Sequence, residues 1–82
     1  MTNRYHSSGF KSVSATSYLK AAEIFAARQA RRDYGKRGIC RHVRLGPWSL
    51  TGPSLMAEAY IGVKVPDGGC SGHNINILIT KI

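Results

Sequence analysis

An apolar residue at every second position of one segment is the feature that most limits how this chain can fold. It runs through residues 55–65, LMAEAYIGVKV. Successive side chains of a strand point to opposite faces, so this pattern predicts a strand with one buried face. The inward side chains are Leu55, Ala57, Ala59, Ile61, Val63 and Val65. The outward side chains are Met56, Glu58, Tyr60 and Lys64.

Two more segments predict strands, one before this strand along the chain at 39–45 (ICRHVRL) and one after it at 74–82 (NINILITKI). In the first, Ile39, Val43 and Leu45 share one face and Cys40, His42 and Arg44 the other, with Arg41 interrupting the alternation. In the second, one face carries Ile75, Ile77 and Ile79, and the other carries Asn74, Asn76, Leu78, Thr80 and Ile82. The links 46–54 and 66–73 are short and rich in Gly and Pro, which favours antiparallel neighbours.

Residues 15–34 predict one helix, capped by Ser14 or Thr16 and ended by Gly35. Its apolar face holds Tyr18, Leu19, Ala22, Phe25, Ala26 and Ala30, and its opposite face Lys20, Arg28, Arg31 and Arg32. A further strand is expected somewhere in residues 5–13. The predicted fold is therefore α+β, a single domain over residues 1–82. One helix packs on a three- or four-stranded antiparallel sheet, in the order β-α-β-β-β or α-β-β-β.

Positive charge is concentrated in residues 28–44, RQARRDYGKRGICRHVR, where Asp33 is the only acid. The whole chain has 12 Lys and Arg against 4 acids, a net charge of +8. The helix dipole favours cations near a helix C-terminus, which gives the helical arginines a local use but does not reach Arg41 or Arg44. The alternative is a merely solvated, solubilising face. We expect a partner-binding surface made of Arg28, Arg31, Arg32, Lys36, Arg37, Arg41 and Arg44.

Two aromatic residues complete this expected surface. Trp48 lies between Gly-Pro pairs in a predicted hairpin loop, and Tyr60 lies on the outward face of its strand. Exposed aromatic rings stack on nucleic-acid bases, and Trp is enriched at interface hot spots. The alternative for Trp48 is a cap over the edge of the core.

Two cysteines and two histidines invite a test for metal or nucleophilic chemistry. Cys40 and His42 share a predicted strand face, and Cys70 and His73 lie close together in sequence. Two Cys and two His can form a tetrahedral zinc site, but this spacing is not that of a zinc finger. A Cys–His dyad needs an orienting third group, and Asp67 is the only nearby acid. The glycines of GGCSGH can form an anion-binding nest or serve as turn residues. We expect no metal, no cofactor and ordinary free thiols.

The remaining motifs argue for binding rather than catalysis. The acids Glu23, Asp33, Glu58 and Asp67 are scattered, and no phosphate loop or dinucleotide motif occurs. No apolar run reaches the roughly 20 residues of a membrane span. We expect a cytoplasmic, non-enzymatic protein with no membrane contact. Its partner is an acidic protein surface, a nucleoprotein complex, RNA or DNA.

In size and element order, with the segments AAEIFAARQARRDYGKRG and AEAYIGV, the chain resembles the small anti-defence proteins of phages and mobile elements, of which anti-CRISPR proteins are the best-known group. The resemblance implies an inhibitor of a host nucleoprotein defence complex, acting in the host cytoplasm. Many such inhibitors are acidic and mimic DNA, whereas this chain is basic. It therefore implies contact with an acidic protein face or with guide RNA. The alternative is a small module that binds RNA or DNA directly.

Overall fold

The structure is a computed structural model that describes the backbone of residues 1–49 and 52–82 and the side chains of 1–46 and 52–82. A helix and a short 3-10 turn separate two strands from three longer ones. The elements are β1 (Asn3–His6), β2 (Val13–Ala15), α1 (Tyr18–Tyr34), the 3-10 turn (Gly35–Arg37), β3 (Gly38–Ser49), β4 (Ser54–Lys64) and β5 (Cys70–Lys81).

The described strands form one antiparallel sheet in the order β2-β1-β5-β4-β3. This confirms the α+β class and corrects the strand count, because the sheet has five strands and three or four were expected. The N-terminal segment forms a hairpin of two strands, with Gly9 at a φ of 85° in its loop. The sequence predicts that the helix begins at Ala15. Because Val13–Ala15 pair with β1, Ala15 instead belongs to a strand.

Helix α1 begins three residues later than the sequence predicts. Ser17, and neither Ser14 nor Thr16, caps it: the Ser17 hydroxyl accepts a hydrogen bond from the Lys20 amide at 3.2 Å. Its end is as predicted, because Gly35 adopts a φ of 69° and donates its N–H to the Arg31 carbonyl. The predicted apolar face is largely confirmed, but Leu19 is 37% exposed and Ala21 is buried in its place.

The core lies between α1 and one face of the sheet. Phe25, Ala57, Ile61 and Ile79 are each 0% exposed. The inward faces predicted for β4 and β5 are thereby confirmed at their centres. Small residues let the helix approach closely: a methyl group on Gly38 would lie 2.5 Å from the Ala30 carbonyl carbon. The opposite face, which we call the outer sheet face, has no described element packed over it.

A β-bulge at Arg41 changes the predicted faces of β3. Cys40 pairs with Ile61 and His42 pairs with Tyr60, so Arg41 is the extra residue that has no single partner. Cross-strand partners share a face, so Cys40 joins the core side with Val43, and Ile39 moves to the outer sheet face. The expectation that Ile39 lies beside Val43, and Cys40 beside His42, was wrong for this reason. The interruption at Arg41 in the sequence marks the bulge.

Two glycines face each other in the β4–β5 hairpin. Gly62 pairs with Gly72, and a methyl group on Gly72 would lie 2.6 Å from the Gly62 Cα and overlap the Ile61 carbonyl oxygen. The pair therefore permits a close approach of the two backbones. The Tyr60 hydroxyl lies 3.4 Å from the Cys70 carbonyl oxygen. The Tyr60 side chain therefore extends along the outer sheet face toward Cys70. It passes the Gly62–Gly72 pair, which has no side chains to obstruct it.

Candidate functional site

The structure separates the predicted basic surface into three groups, and the first holds the N-terminal hairpin in place. Arg28 Nη1 donates to the Lys11 carbonyl at 3.1 Å, and Arg32 Nη2 donates to the Gly9 carbonyl at 3.3 Å. The Arg32 guanidinium also lies 4.8 Å from the centre of the Phe10 ring. These two arginines lie one helical turn apart and fasten the β1–β2 loop to α1. Part of the basic character therefore has an internal structural use.

The second group lies at the C-terminal end of α1. Arg31, Lys36 and Arg37 are exposed, and Arg31 and Lys36 line a shallow depression of about 370 Å³ beside Gly35. The salt bridges among the described residues involve other side chains. The helix dipole favours a cation at the position of Arg31 in the last turn. The cations of this group remain available to a partner.

The third group lies on the outer sheet face around Tyr60, which occupies the face that the sequence predicts. The His42 and Tyr60 rings are cross-strand neighbours, with centroids 6.2 Å apart and planes inclined by 21°. His42 is exposed and Tyr60 is half-buried. On the other side of Tyr60, Asn74 is its partner in β5. An aromatic platform edged by an amide therefore crosses three strands.

Arginines flank this platform on both sides. Arg44 forms an ion pair with Glu58, with Nε 2.8 Å and Nη2 2.6 Å from the same carboxylate oxygen. The pair fixes the Arg44 guanidinium and offsets part of its charge. On the other side, Arg41 Nη1 lies 3.4 Å from Cys70 Sγ. The bulge is what places Arg41 beside the ring of His42.

Two depressions meet at His42. One of about 240 Å³ is lined by His42, Arg44, Glu58 and Asn74, among others. The other, of about 290 Å³, is lined by Arg41, His42, Tyr60 and Cys70. We call these side chains together the platform site: Arg41, His42, Arg44, Glu58, Tyr60, Asn74 and Cys70. It offers an aromatic surface, guanidinium groups and an amide, which suit a flat, anionic ligand.

Sequence reasoning found Arg41, Arg44 and Tyr60 but missed His42 and Asn74 as members of a binding site. The polar face of residues 74–82 was a usable signal, because Asn74 and Asn76 alternate with buried isoleucines. The stacking of His42 depends on the register of β3 with β4, which one strand alone does not reveal.

The side chain of Trp48 lies outside the described residues. Both roles expected for it, partner contact and core cap, therefore stay predictions.

The structure divides the two cysteines and two histidines between the two faces of the sheet. Cys40 and His73 are on the helix side of the sheet, since both pair with Ile61, whereas His42 lies on the outer face near Cys70. His73 is engaged elsewhere, with Nδ1 2.7 Å from the Tyr34 hydroxyl. Within the described part of the chain, no three His, Cys, Asp or Glu side chains are placed to hold a metal ion. A zinc site built from all four residues does not fit this geometry, whereas His42 and Cys70 share a face and line one depression.

The glycines between β4 and β5 act as turn residues. The Gly68 amide donates to the Val65 carbonyl at 3.0 Å, and the Val65 amide donates to the Gly69 carbonyl at 3.0 Å. Gly68 has a φ of 93°, which residues other than glycine rarely adopt. Because its N–H points to its own loop, Gly68 does not form an anion-binding nest there.

Cys40 and Cys70 are free, and Cys40 is expected to be a slow nucleophile. Burial raises the pKa of the Cys40 thiol, and the Glu23 carboxylate raises it further. Only the thiolate reacts, so we expect iodoacetamide at pH 8 to alkylate Cys40 several-fold more slowly in the folded Cys70→Ser variant than in the same variant in urea. Equal rates would contradict a protonated, packed thiol.

The same shift in the Cys40 pKa predicts how stability depends on pH. The folded state holds this proton to a higher pH than the unfolded chain does. Its contribution to stability is therefore complete below the ordinary thiol pKa of about 8.5 and is lost as pH rises through the raised value.

Compared with known proteins, the chain matches no family model, no curated protein and no solved structure. The helices of the described residues include none with the length and apolar character needed to cross a membrane.

Proposed function

We propose that this chain is a non-enzymatic binding protein that contacts single-stranded nucleic acid through the platform site. The observation that carries the proposal is the stacked pair of His42 and Tyr60 on a sheet face that no described element covers. Single-stranded RNA and DNA are bound by stacking their bases on aromatic side chains displayed in this way. A base placed on His42 would extend a stack that already exists.

The charges around the platform suit a phosphate backbone. Arg41 and Arg44 line the two depressions that meet at His42, so a base stacked on His42 would have a guanidinium group on either side. The chain's net charge of +8 adds a sequence-independent attraction that weakens as salt displaces counterions. The Arg44–Glu58 ion pair orients its guanidinium without cancelling the surplus from Arg41. Affinity for an oligonucleotide should therefore fall steeply with salt.

The cations at the end of α1 form a second contact in this proposal. Arg31, Lys36 and Arg37 are exposed at the end of α1 and in the turn that follows it. Arg28 and Arg32 are less suited to this role, because both guanidinium groups are bonded to carbonyls of the N-terminal hairpin. Their replacement would disturb the fold as well as the charge.

Paired substitutions with matched controls test the proposal. Arg41→Gln with His42→Ala should weaken binding of a fluorescein-labelled octauridylate by about 10- to 100-fold, since one stacked base is worth about 1–3 kcal/mol. The control, Arg4→Gln with His6→Ala, makes the same chemical changes at two exposed positions of β1. It should change affinity by less than about threefold. Fluorescence anisotropy at several salt concentrations measures both variants.

Equal weakening by the two pairs would mean that only net charge matters, and no binding of the unaltered protein at 150 mM salt would contradict the proposal.

A second candidate is inhibition of a host nucleoprotein defence complex, the role that the resemblance to anti-CRISPR proteins implies. It is favoured by the edge of β5 along residues 72–78, which no described strand covers, because such an edge suits a protein partner. The protein would then act in the cytoplasm of the host and contact an acidic protein face or guide RNA. Tight association with one intact complex, in the absence of binding to free oligonucleotides, would favour this function over the first.

A further inference from the structure

Strand β1 covers only one end of β5. The two strands pair at Tyr5 with Lys81 and at His6 with Thr80, where β1 ends. Strand β5 extends back to Cys70, and in that stretch no described strand lies on its β1 side. The sheet therefore has an uncovered edge along residues 72–78, which we call the β5 edge.

The backbone groups that face this edge can be identified. The Ile82 amide donates toward β1, to the Arg4 carbonyl at 2.9 Å, whereas the Lys81 amide donates to the opposite side, to the Pro53 carbonyl at 3.0 Å. Backbone direction alternates along a strand, and β5 pairs with β4 without a register shift. The amides and carbonyls that point to the β5 edge are those of Gly72, Asn74, Asn76 and Leu78. Within the described residues, no hydrogen bond reaches them.

A groove runs beside this edge on the helix side. Its volume is about 420 Å³, enough for a few side chains. One wall is formed by Ser7, Ser8, Phe10 and Gln29, and the other by β5 from Ile75 to Leu78. A strand added along the edge would alternate its side chains between this groove and the outer sheet face. The edge thus offers backbone groups for affinity and a groove for side-chain selection.

Charge decides between the possible occupants. The Arg32 guanidinium lies 4.8 Å from the centre of the Phe10 ring, so one cation lies beside a wall of the groove. None of the acids lines it. Asp33 accepts from Gln29 at 2.9 Å, and Glu58 pairs with Arg44. A second copy of the chain would bring a further +8 to this edge, so an acidic strand fits far better.

We propose that the β5 edge binds an extended, acidic segment of a partner protein as an antiparallel strand in line with β1. The segment places apolar side chains in the groove and carboxylates on the outer sheet face, where Arg4 of β1 is exposed. This inference does not rest on nucleic-acid binding at the platform site, which uses the side chain of Asn74 on the outer sheet face, whereas the β5 edge uses its backbone.

Amide hydrogen exchange, followed by NMR on the ¹⁵N-labelled protein, tests the proposal. In the free protein, the amides of Gly72, Asn74, Asn76 and Leu78 should exchange quickly, and those of Ile75 and Ile77 slowly. A synthetic octapeptide of alternating Val and Glu should slow the exchange of the first set by at least tenfold. The matched peptide of alternating Val and Lys should leave it unchanged.

A backbone variant gives a second measurement. Asn76→Pro removes an N–H that points to the open edge, so the pairing of β5 with β4 keeps its hydrogen bonds. The affinity for the Val–Glu peptide should fall at least tenfold, whereas Asn76→Thr, which keeps the N–H, should retain it. If the proline variant does not fold, exchange in the unaltered protein still decides the matter.

Several results would overturn the proposal. Protection of these amides that grows with protein concentration alone would assign the edge to a second copy. Equal protection by the Val–Lys peptide would remove the role of charge, and protection by octauridylate would assign the edge to nucleic acid. A lack of protection by the Val–Glu peptide would mean that the edge accepts no acidic strand.

Discussion

Gly72→Val is expected to lower the free energy of unfolding by about 3 kcal/mol or more, at the upper end of what overpacking costs. The new Cβ would overlap the Ile61 carbonyl oxygen and approach the Gly62 Cα to 2.6 Å. Both neighbours are backbone atoms of the central hairpin, so no side chain can move aside. For a domain of this size, the melting temperature should fall by about 12 °C or more, measured by circular dichroism.

Gly69→Ala is the matched control in the same hairpin. A methyl group there would lie 3.6 Å from Val65 Cγ2, an ordinary van der Waals distance. Its melting temperature should stay within about 4 °C of the parent. If Gly72→Val melts like Gly69→Ala, then the close approach of the two backbones is not a requirement of the fold.

Phe25→Ala is expected to destabilise the protein by about 3–5 kcal/mol, the usual cost of removing a fully buried aromatic side chain. Phe25 is 0% exposed and its ring lies 5.9 Å from that of Phe10. The change leaves a cavity between α1 and the sheet and also weakens the packing of the N-terminal hairpin. Because small domains are stable by only about 5–15 kcal/mol, the variant should be partly unfolded at 37 °C.

Leu19→Ala on the same helix separates this effect from helix propensity. Leu19 is 37% exposed, so its loss should cost less than about 1 kcal/mol. Urea denaturation measures both variants. Similar costs at the two positions would contradict the burial pattern of α1 and restore the face that the sequence predicts for Leu19.

The sequence predicts those parts of the fold that depend on one segment at a time. Alternation identifies the inward faces of β4 and β5, and Gly35 marks the end of the helix. The bulge at Arg41 is different, because it is a relation between two strands. A pattern in β3 alone shows that the alternation breaks but not which residues exchange faces. The same limit hides the hairpin of β1 and β2, whose short strands are defined by their pairing.

The basic cluster shows the corresponding limit for the candidate site. Seven cations in one stretch look alike in the sequence, but their neighbours come from distant segments. Arg28 and Arg32 meet carbonyls of the N-terminal loop, and Arg44 meets Glu58 from the next strand. These contacts divide the cluster into arginines that hold the N-terminal hairpin or pair with an acid, and cations that are exposed to a partner. Composition alone gives the total charge but not this division.

The pairing of the first strand with the last has a kinetic consequence. Strands β3, β4 and β5 follow one another through short connections, so they can pair after closing only small loops. Docking β1 on β5 brings Tyr5 to Lys81, which closes a loop of nearly the whole chain and costs more entropy. The three-stranded meander and α1 should therefore assemble first, and the N-terminal hairpin should dock late. Weakening the hairpin would then speed unfolding and leave the folding rate almost unchanged.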